Sequence, residues 1–272
     1  MITLDSSSAW QSARRMVAAN RDVLVAIAGV FFLLPGLIGA VVLPTPDVNG
    51  KMDQQALADA VLQFYVHAGP VLVALTLPML VGYLTLLAML LDRDRPTVAT
   101  AIMTGIRLLP SYLAAQLLIS LGLSVLWATA LSVLSLAMPQ VAAALLSLVA
   151  MIYPLVRVLL VGPEMIAQRL RNPIRAIIGG LARTRGHTLG MLLFFGPAMT
   201  LFLVVYGVVM IVVSLAVFNL AQAEVQRLIS EAAGAVLLAV GYTYYAAMTA
   251  STYDQLGPIN GADEAVSPPA PR

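Results

Sequence analysis

Along this chain the apolar residues fall into five runs without a single Asp, Glu, Lys or Arg, at 23–46, 60–91, 108–156, 186–223 and 232–253. A helix crosses the hydrocarbon of a bilayer with roughly 20 apolar residues. Each run is therefore long enough for one span, and 108–156 is long enough for two, with Pro139 in Met138-Pro139-Gln140 as the turning point. The pattern predicts an all-α, polytopic membrane helix bundle of about six transmembrane helices, drawn at 23–43, 69–91, 111–137, 141–163, 188–217 and 232–252. The in-out alternation of an outer-membrane barrel strand is missing. The first run is too long for a cleavable signal peptide and has no cleavage site after Val42, while Pro35-Gly36 inside it predicts a bend.

Shorter periodic segments lie between the spans. In the connection 44–68, a turn-rich half is followed by Leu57, Val61, Phe64 and Tyr65 at helical spacing, which predicts a short helix on the outer membrane surface. After the second span, Val98, Ala101, Ile102 and Leu109 share one helical face, with Thr97, Thr100, Thr104 and Arg107 on the polar side. Asp94 or a neighbour is the expected cap and Pro96 the expected first-turn residue. After the fourth span, Gly162-Pro163-Glu164 is read as a helix break. Asn172-Pro173 then opens a segment with Ile174, Ile177, Ile178 and Leu181 as the apolar stripe and Arg171, Arg175, Thr184 and Arg185 as the polar side. Laying Pro96 on Pro173 superposes the two blocks at an offset of 77 residues. Each reads as span, interfacial amphipathic helix, span, so the two interfacial helices belong to a weak parallel repeat. Parallel order lowers the case for a transporter built from inverted repeats. Three regions follow: a cytoplasmic tail at 1–20, amphipathic or disordered, a six-span membrane domain at 21–253, and a tail at 254–272 too rich in Pro and Gly to fold. In the first tail Ser6 to Ser8 are the expected cap residues, and Trp10 is an interface anchor.

Composition agrees with the pattern: 60% of residues are hydrophobic and 10% charged, against about a quarter charged in an ordinary globular domain. Charge adds an orientation. Thirteen of the fifteen cations fall on one side of the predicted spans or at its edge, and only Lys51 and Arg227 fall on the other. Since Lys and Arg are retained on the cytoplasmic side, both termini are expected in the cytoplasm. The excess of basic residues is accounted for by topology and anionic headgroups, so no nucleic-acid partner is needed.

From Met151 to Gly190 the pattern becomes specific: an arginine in a span, Pro-Glu, then a Pro-started basic helix ending in Thr-Arg-Gly. On Arg157, Pro163, Glu164, Pro173, Ala176, Thr184, Gly186 and the apolar run from Leu189, the chain resembles a bacterial membrane-domain family. That domain is found attached to glycerophosphoryl diester phosphodiesterases and, standing alone, in YciC-like uncharacterised inner-membrane proteins. The family often has a small Ser or Ala before the large residue ending the surface helix, where this chain has Ala182-Arg183. The resemblance implies a six-helix bundle with interfacial helices between spans two and three and spans four and five. It carries over no catalytic residue, because that membrane domain is not the catalytic part.

Arg157 is the one ionisable side chain clearly inside a predicted span, and intramembrane charge marks either a buried partner or a functional site. At 1.5 Å per residue it lies roughly 10 Å from the cytoplasmic edge, within reach of snorkelling. The competing use is an anion or lipid-headgroup site formed with Arg169 and Arg171, and extended along the same segment by Arg175, Arg183 and Arg185. His67 and His187 fall near opposite faces, there is no cysteine, and the spans are read as free of carboxylates, so neither a metal nor a cofactor is expected. The missing intramembrane acid also speaks against a proton relay. Serines such as Ser120 and Ser124 are read as packing residues, and Tyr242, Tyr244, Tyr245 and Tyr253 as an interfacial belt. The reading that follows is a non-enzymatic, lipid-associated inner-membrane protein that organises the membrane or binds a partner protein or second copy. The alternative is a channel or transporter passing a small apolar or anionic solute near Arg157.

Overall fold

The computed structural model describes residues 5–43, 54–92, 96–218 and 222–257. The turn-rich 44–53 and the expected cap Asp94 lie outside the described residues; of the tail expected to stay unfolded at 254–272, residues 254–256 are instead the last turn of a helix, and 258–272 lie outside the described residues. Every regular element in them is helical: α1 Ser6–Ala19, α2 Arg21–Ala28, a π-helical turn Gly29–Leu33, α3 Leu34–Val42, α4 Gln54–Leu91 and α5 Val98–Ser135. There follow α6 Gln140–Val158, α7 Val161–Ala167, α8 Pro173–Arg183, α9 Thr188–Val217 and α10 Ala223–Leu256. Six of the resulting segments are long and apolar enough to cross a membrane, Arg21–Val42, Gln55–Leu91, Val98–Ser135, Gln140–Ala167, Thr188–Val217 and Glu224–Leu256. The chain is a multi-pass all-α bundle.

Prolines shape these helices where their missing amides fall. In the first span the π-helical turn ends just before Pro35, which then sits in the opening turn of α3; the wider turn absorbs the bond the proline cannot donate. Pro139 caps the start of α6, as the pattern predicts. In the fourth span the interruption expected at Gly162-Pro163-Glu164 comes one turn earlier, at Leu159-Leu160. The reason is steric: a proline ring clashes with the carbonyl four residues before it, and for Pro163 that is Leu159. Gly162-Pro163-Glu164 is instead the first turn of a short, buried α7.

Two surface helices expected from the pattern are absent as separate elements. Residues 56–65 belong to the 38-residue α4, and 98–109 are the opening turns of the 38-residue α5, which runs unbroken through Pro110. At 1.5 Å per residue each helix is about 57 Å long, nearly twice the roughly 30 Å hydrocarbon core. Each helix is therefore longer than one crossing requires, so its opening turns need no separate surface helix to accommodate them. Thr97 caps α5, accepting the Thr100 amide at 3.3 Å, and Pro96 precedes the helix. Only the second block forms a separate short helix, α8, where Asn172 accepts the amides of Ile174 and Arg175 at 3.0 and 3.2 Å and Pro173 takes the first position. A break at Gly186, whose φ is +82°, divides α8 from α9 and gives the second block the kink that the first lacks.

The core lies towards one end. Residues 81–88 of α4, 161–166 of α7 and 246–253 of α10 are buried without exception, whereas the far halves of α5, α6 and α9 leave most large apolar side chains exposed. Lipid is as apolar as leucine, so close backbone approach between small residues matters more here than transfer from water. A Cβ on Gly105 would stand 3.0 Å from Thr85 Oγ1 and 3.1 Å from the Val81 carbonyl, which fixes α5 directly against α4. At the packed end α1 lays its fully buried Ala9 and Ala13 on Phe194, Ala247 and Met248. Asp5 caps α1, in place of Ser6 to Ser8. Ser7 and Ser8 hydrogen bonds hold the Asp5 carboxyl below the usual carboxylate range. Gln255 donates to Ser8 at 2.6 Å, so the described ends of the chain meet. Arg227, at the opposite end, donates to the Ala40 and Leu43 carbonyls at 3.0 and 3.1 Å, satisfying the C-terminus of α3.

Candidate functional site

The candidate site is the arginine layer around α7 and α8. Its centre is a clasp that the sequence pattern does not show. Arg183 Nε donates to Glu164 Oε2 at 2.9 Å, with the two side chains only 4% and 7% exposed. Nη1 of the same guanidinium donates to the Gly257 carbonyl, and its face lies 4.1 Å from the centre of the Tyr253 ring. One side chain thus joins α7, α8 and the end of α10. Room for this comes from glycine: a Cβ on Gly179 would lie 2.7 Å from Glu164 Oε1, and one on Gly180 would lie 3.1 Å from the Val161 backbone. The face of α8 against the bundle is therefore Ala176, Gly180 and Arg183, all buried, while Ile174 and Ile178 are exposed. This corrects two expectations. Arg183 is committed inside the protein and does not stand with the outward cations, and a carboxylate does sit within a candidate membrane-spanning segment, as Glu164.

Arg157 points to a different place. Its Nη2 donates to the Leu181 carbonyl at 2.7 Å, and Thr184 Oγ1 reaches the same carbonyl at 3.0 Å. Both satisfy the last turn of α8, where a cation is also favoured by the helix dipole. The guanidinium carbon lies 5.9 Å from the Tyr153 ring centre, and Nε is buried without an acceptor. No ion pair among the described residues includes Arg157. It lines a cavity of about 300 Å³ between α5, α6 and α8.

The remaining predicted cations divide. Arg169 pairs with Asp92 at 3.3 Å; these two are equivalent in the repeat, 77 residues apart. Arg169 also occupies the left-handed region at φ +50°, closing α7 with Leu170 N to Met165 O at 2.9 Å, a position usually given to glycine. Arg175 is exposed on α8, and Arg171 and Arg185 are exposed on the segments flanking it, before the Asn172 cap and after Thr184. The expected cluster of Arg157, Arg169 and Arg171 is thus distributed over a cavity wall, an ion pair and an open face. Among the tyrosines, Tyr242 stacks on Phe32, Tyr244 on Trp10 and Tyr245 on Tyr83, and Tyr253 is buried beneath Arg183.

Among the described residues no three His, Asp or Glu side chains converge as a metal site would require. Sequence reasoning missed Gly179, Gly180, Tyr253 and Gly257. The adjacent glycines in the middle of an otherwise good helix were the available signal, since such glycines cost stability unless something packs closely on them. Compared with family models, curated proteins and solved structures, the chain matches none.

Proposed function

We propose that the chain is a non-enzymatic, lipid-associated protein of the bacterial inner membrane, with its basic end at the cytoplasmic leaflet, where it organises lipid or seats a partner. The observation that carries this reading is the exposed side of α8 together with its two flanks. Arg171, Arg175 and Arg185 stand exposed beside Ile174 and Ile178, the mixture of cation and apolar side chain that suits the headgroup boundary. The clasp on the opposite side of α8 holds that face outward.

Each arginine near an anionic leaflet contributes about 1 kcal/mol, so replacing all three with glutamine lowers the preference for anionic lipid by at least about tenfold. Reconstitution into nanodiscs of mixed phosphatidylglycerol and phosphatidylcholine, with quantification of the annular lipid, measures this. Equal lipid composition around wild type and triple variant would contradict the proposal. Solute flux through liposomes that vanishes in Arg157→Gln would assign the chain to transport instead.

A further inference from the structure

We infer that the cavity between α5, α6 and α8 is a single-occupant site for an anionic amphiphile, in which Arg157 takes the negative group and the apolar wall takes the start of one acyl chain. This deepens the lipid-associated reading and rests on it. Four observations meet at one place. The volume, about 300 Å³, is at the small end for a ligand site, so it fits part of a lipid. Its walls are Gly122 and Leu126 of α5, Tyr153 and Arg157 of α6, and Ile177 and Leu181 of α8, with Arg157 as the sole charged group and no carboxylate. Leu126 and Tyr153 are 47% and 59% exposed on the flank that lipid would cover, so an amphiphile can enter sideways from the bilayer. Finally, among the described residues the Arg157 charge is met by the Leu181 carbonyl and, at 5.9 Å, the face of the Tyr153 ring, with no carboxylate paired to it, and its buried Nε has no acceptor. An uncompensated cation on an apolar wall is unfavourable, and an anion carrying a hydrocarbon chain satisfies both the charge and the wall. A phosphodiester also offers several acceptor oxygens to a guanidinium.

Gly122 provides a means of closing the cavity without disturbing the fold, because a Cβ there meets nothing within 4 Å. The experiment is native mass spectrometry of the full-length protein after delipidation and incubation with phosphatidylglycerol, in parallel with phosphatidylcholine. Wild type is expected to retain one phosphatidylglycerol through detergent activation and at least tenfold less phosphatidylcholine. Gly122→Phe, which fills the cavity, and Arg157→Met, which removes the charge, should each reduce retention at least tenfold. Gly122→Phe leaves the Arg157 bond to α8 in place, so it keeps the test decisive if Arg157→Met fails to fold. Arg171→Gln/Arg175→Gln/Arg185→Gln should retain the lipid as wild type does, which separates this site from the leaflet contact on α8. Inorganic phosphate at millimolar concentration should not displace it; displacement would mean a free-anion site and overturn the assignment to an amphiphile. Unchanged retention in Gly122→Phe, or equal retention of the two lipids, would overturn the proposal, while the annular preference lost in the triple variant would still stand.

Discussion

Arg169 shows how one backbone angle constrains the basic end. A non-glycine residue at φ +50° is strained, and more so when it is β-branched. Its ion pair with Asp92 is mostly exposed on the arginine side, 73% against 28%, so the pair itself is worth little. Arg169→Gly and Arg169→Val both delete that pair, and the difference between them isolates the backbone. Thermal unfolding in detergent should find the glycine variant as stable as wild type and the valine variant lower by about 1–3 kcal/mol; equal stabilities would show that the left-handed turn is not maintained. No composition or periodicity signals this turn, because Gln168-Arg169-Leu170 contains none of the residues that usually mark one. By contrast Asn172-Pro173 three residues later was legible, since a capping side chain followed by proline has a local mechanism.

At the scale of the element, the clasp decides how α8 is seated. Removing one partner of a buried ion pair leaves the other without compensation and typically costs about 3–5 kcal/mol, whereas replacing both with apolar groups costs far less. Glu164→Met alone should therefore lower the midpoint of unfolding strongly, and Glu164→Met/Arg183→Met should recover most of the loss. Additive losses in the double variant would mean that the two side chains act separately. The apolar stripe of α8 was legible from periodicity, but which residues meet the bundle was not. Ile174 and Ile178 are exposed, and the face against the protein is selected by size, through Ala176, Gly179 and Gly180. Periodicity also could not tell that 98–109 open a continuous α5, because an amphipathic pattern reads the same on a separate helix and on the end of a longer one.

Across the whole molecule, hydropathy and turn residues were enough to draw six spans and the Pro139 turn, because length and charge exclusion act on each helix by itself. The tight layer formed by residues 81–88, 161–166 and 246–253 was not legible, since it depends on which helices meet. That layer coincides with the arginine end and with the meeting of the described termini at Ser8 and Gln255. A basic, well-packed end on the cytoplasmic leaflet is the premise of both the leaflet contact and the Arg157 cavity. The absence of cysteine allows it to be tested with single thiols. Ala182→Cys places one on the exposed face of α8 and Gln222→Cys places one at the opposite end of the bundle. In intact bacterial cells a membrane-impermeant maleimide should label Gln222→Cys and leave Ala182→Cys unlabelled until the cells are opened; labelling of Ala182→Cys from outside, with Gln222→Cys protected, would contradict the proposed orientation and both sites that depend on it.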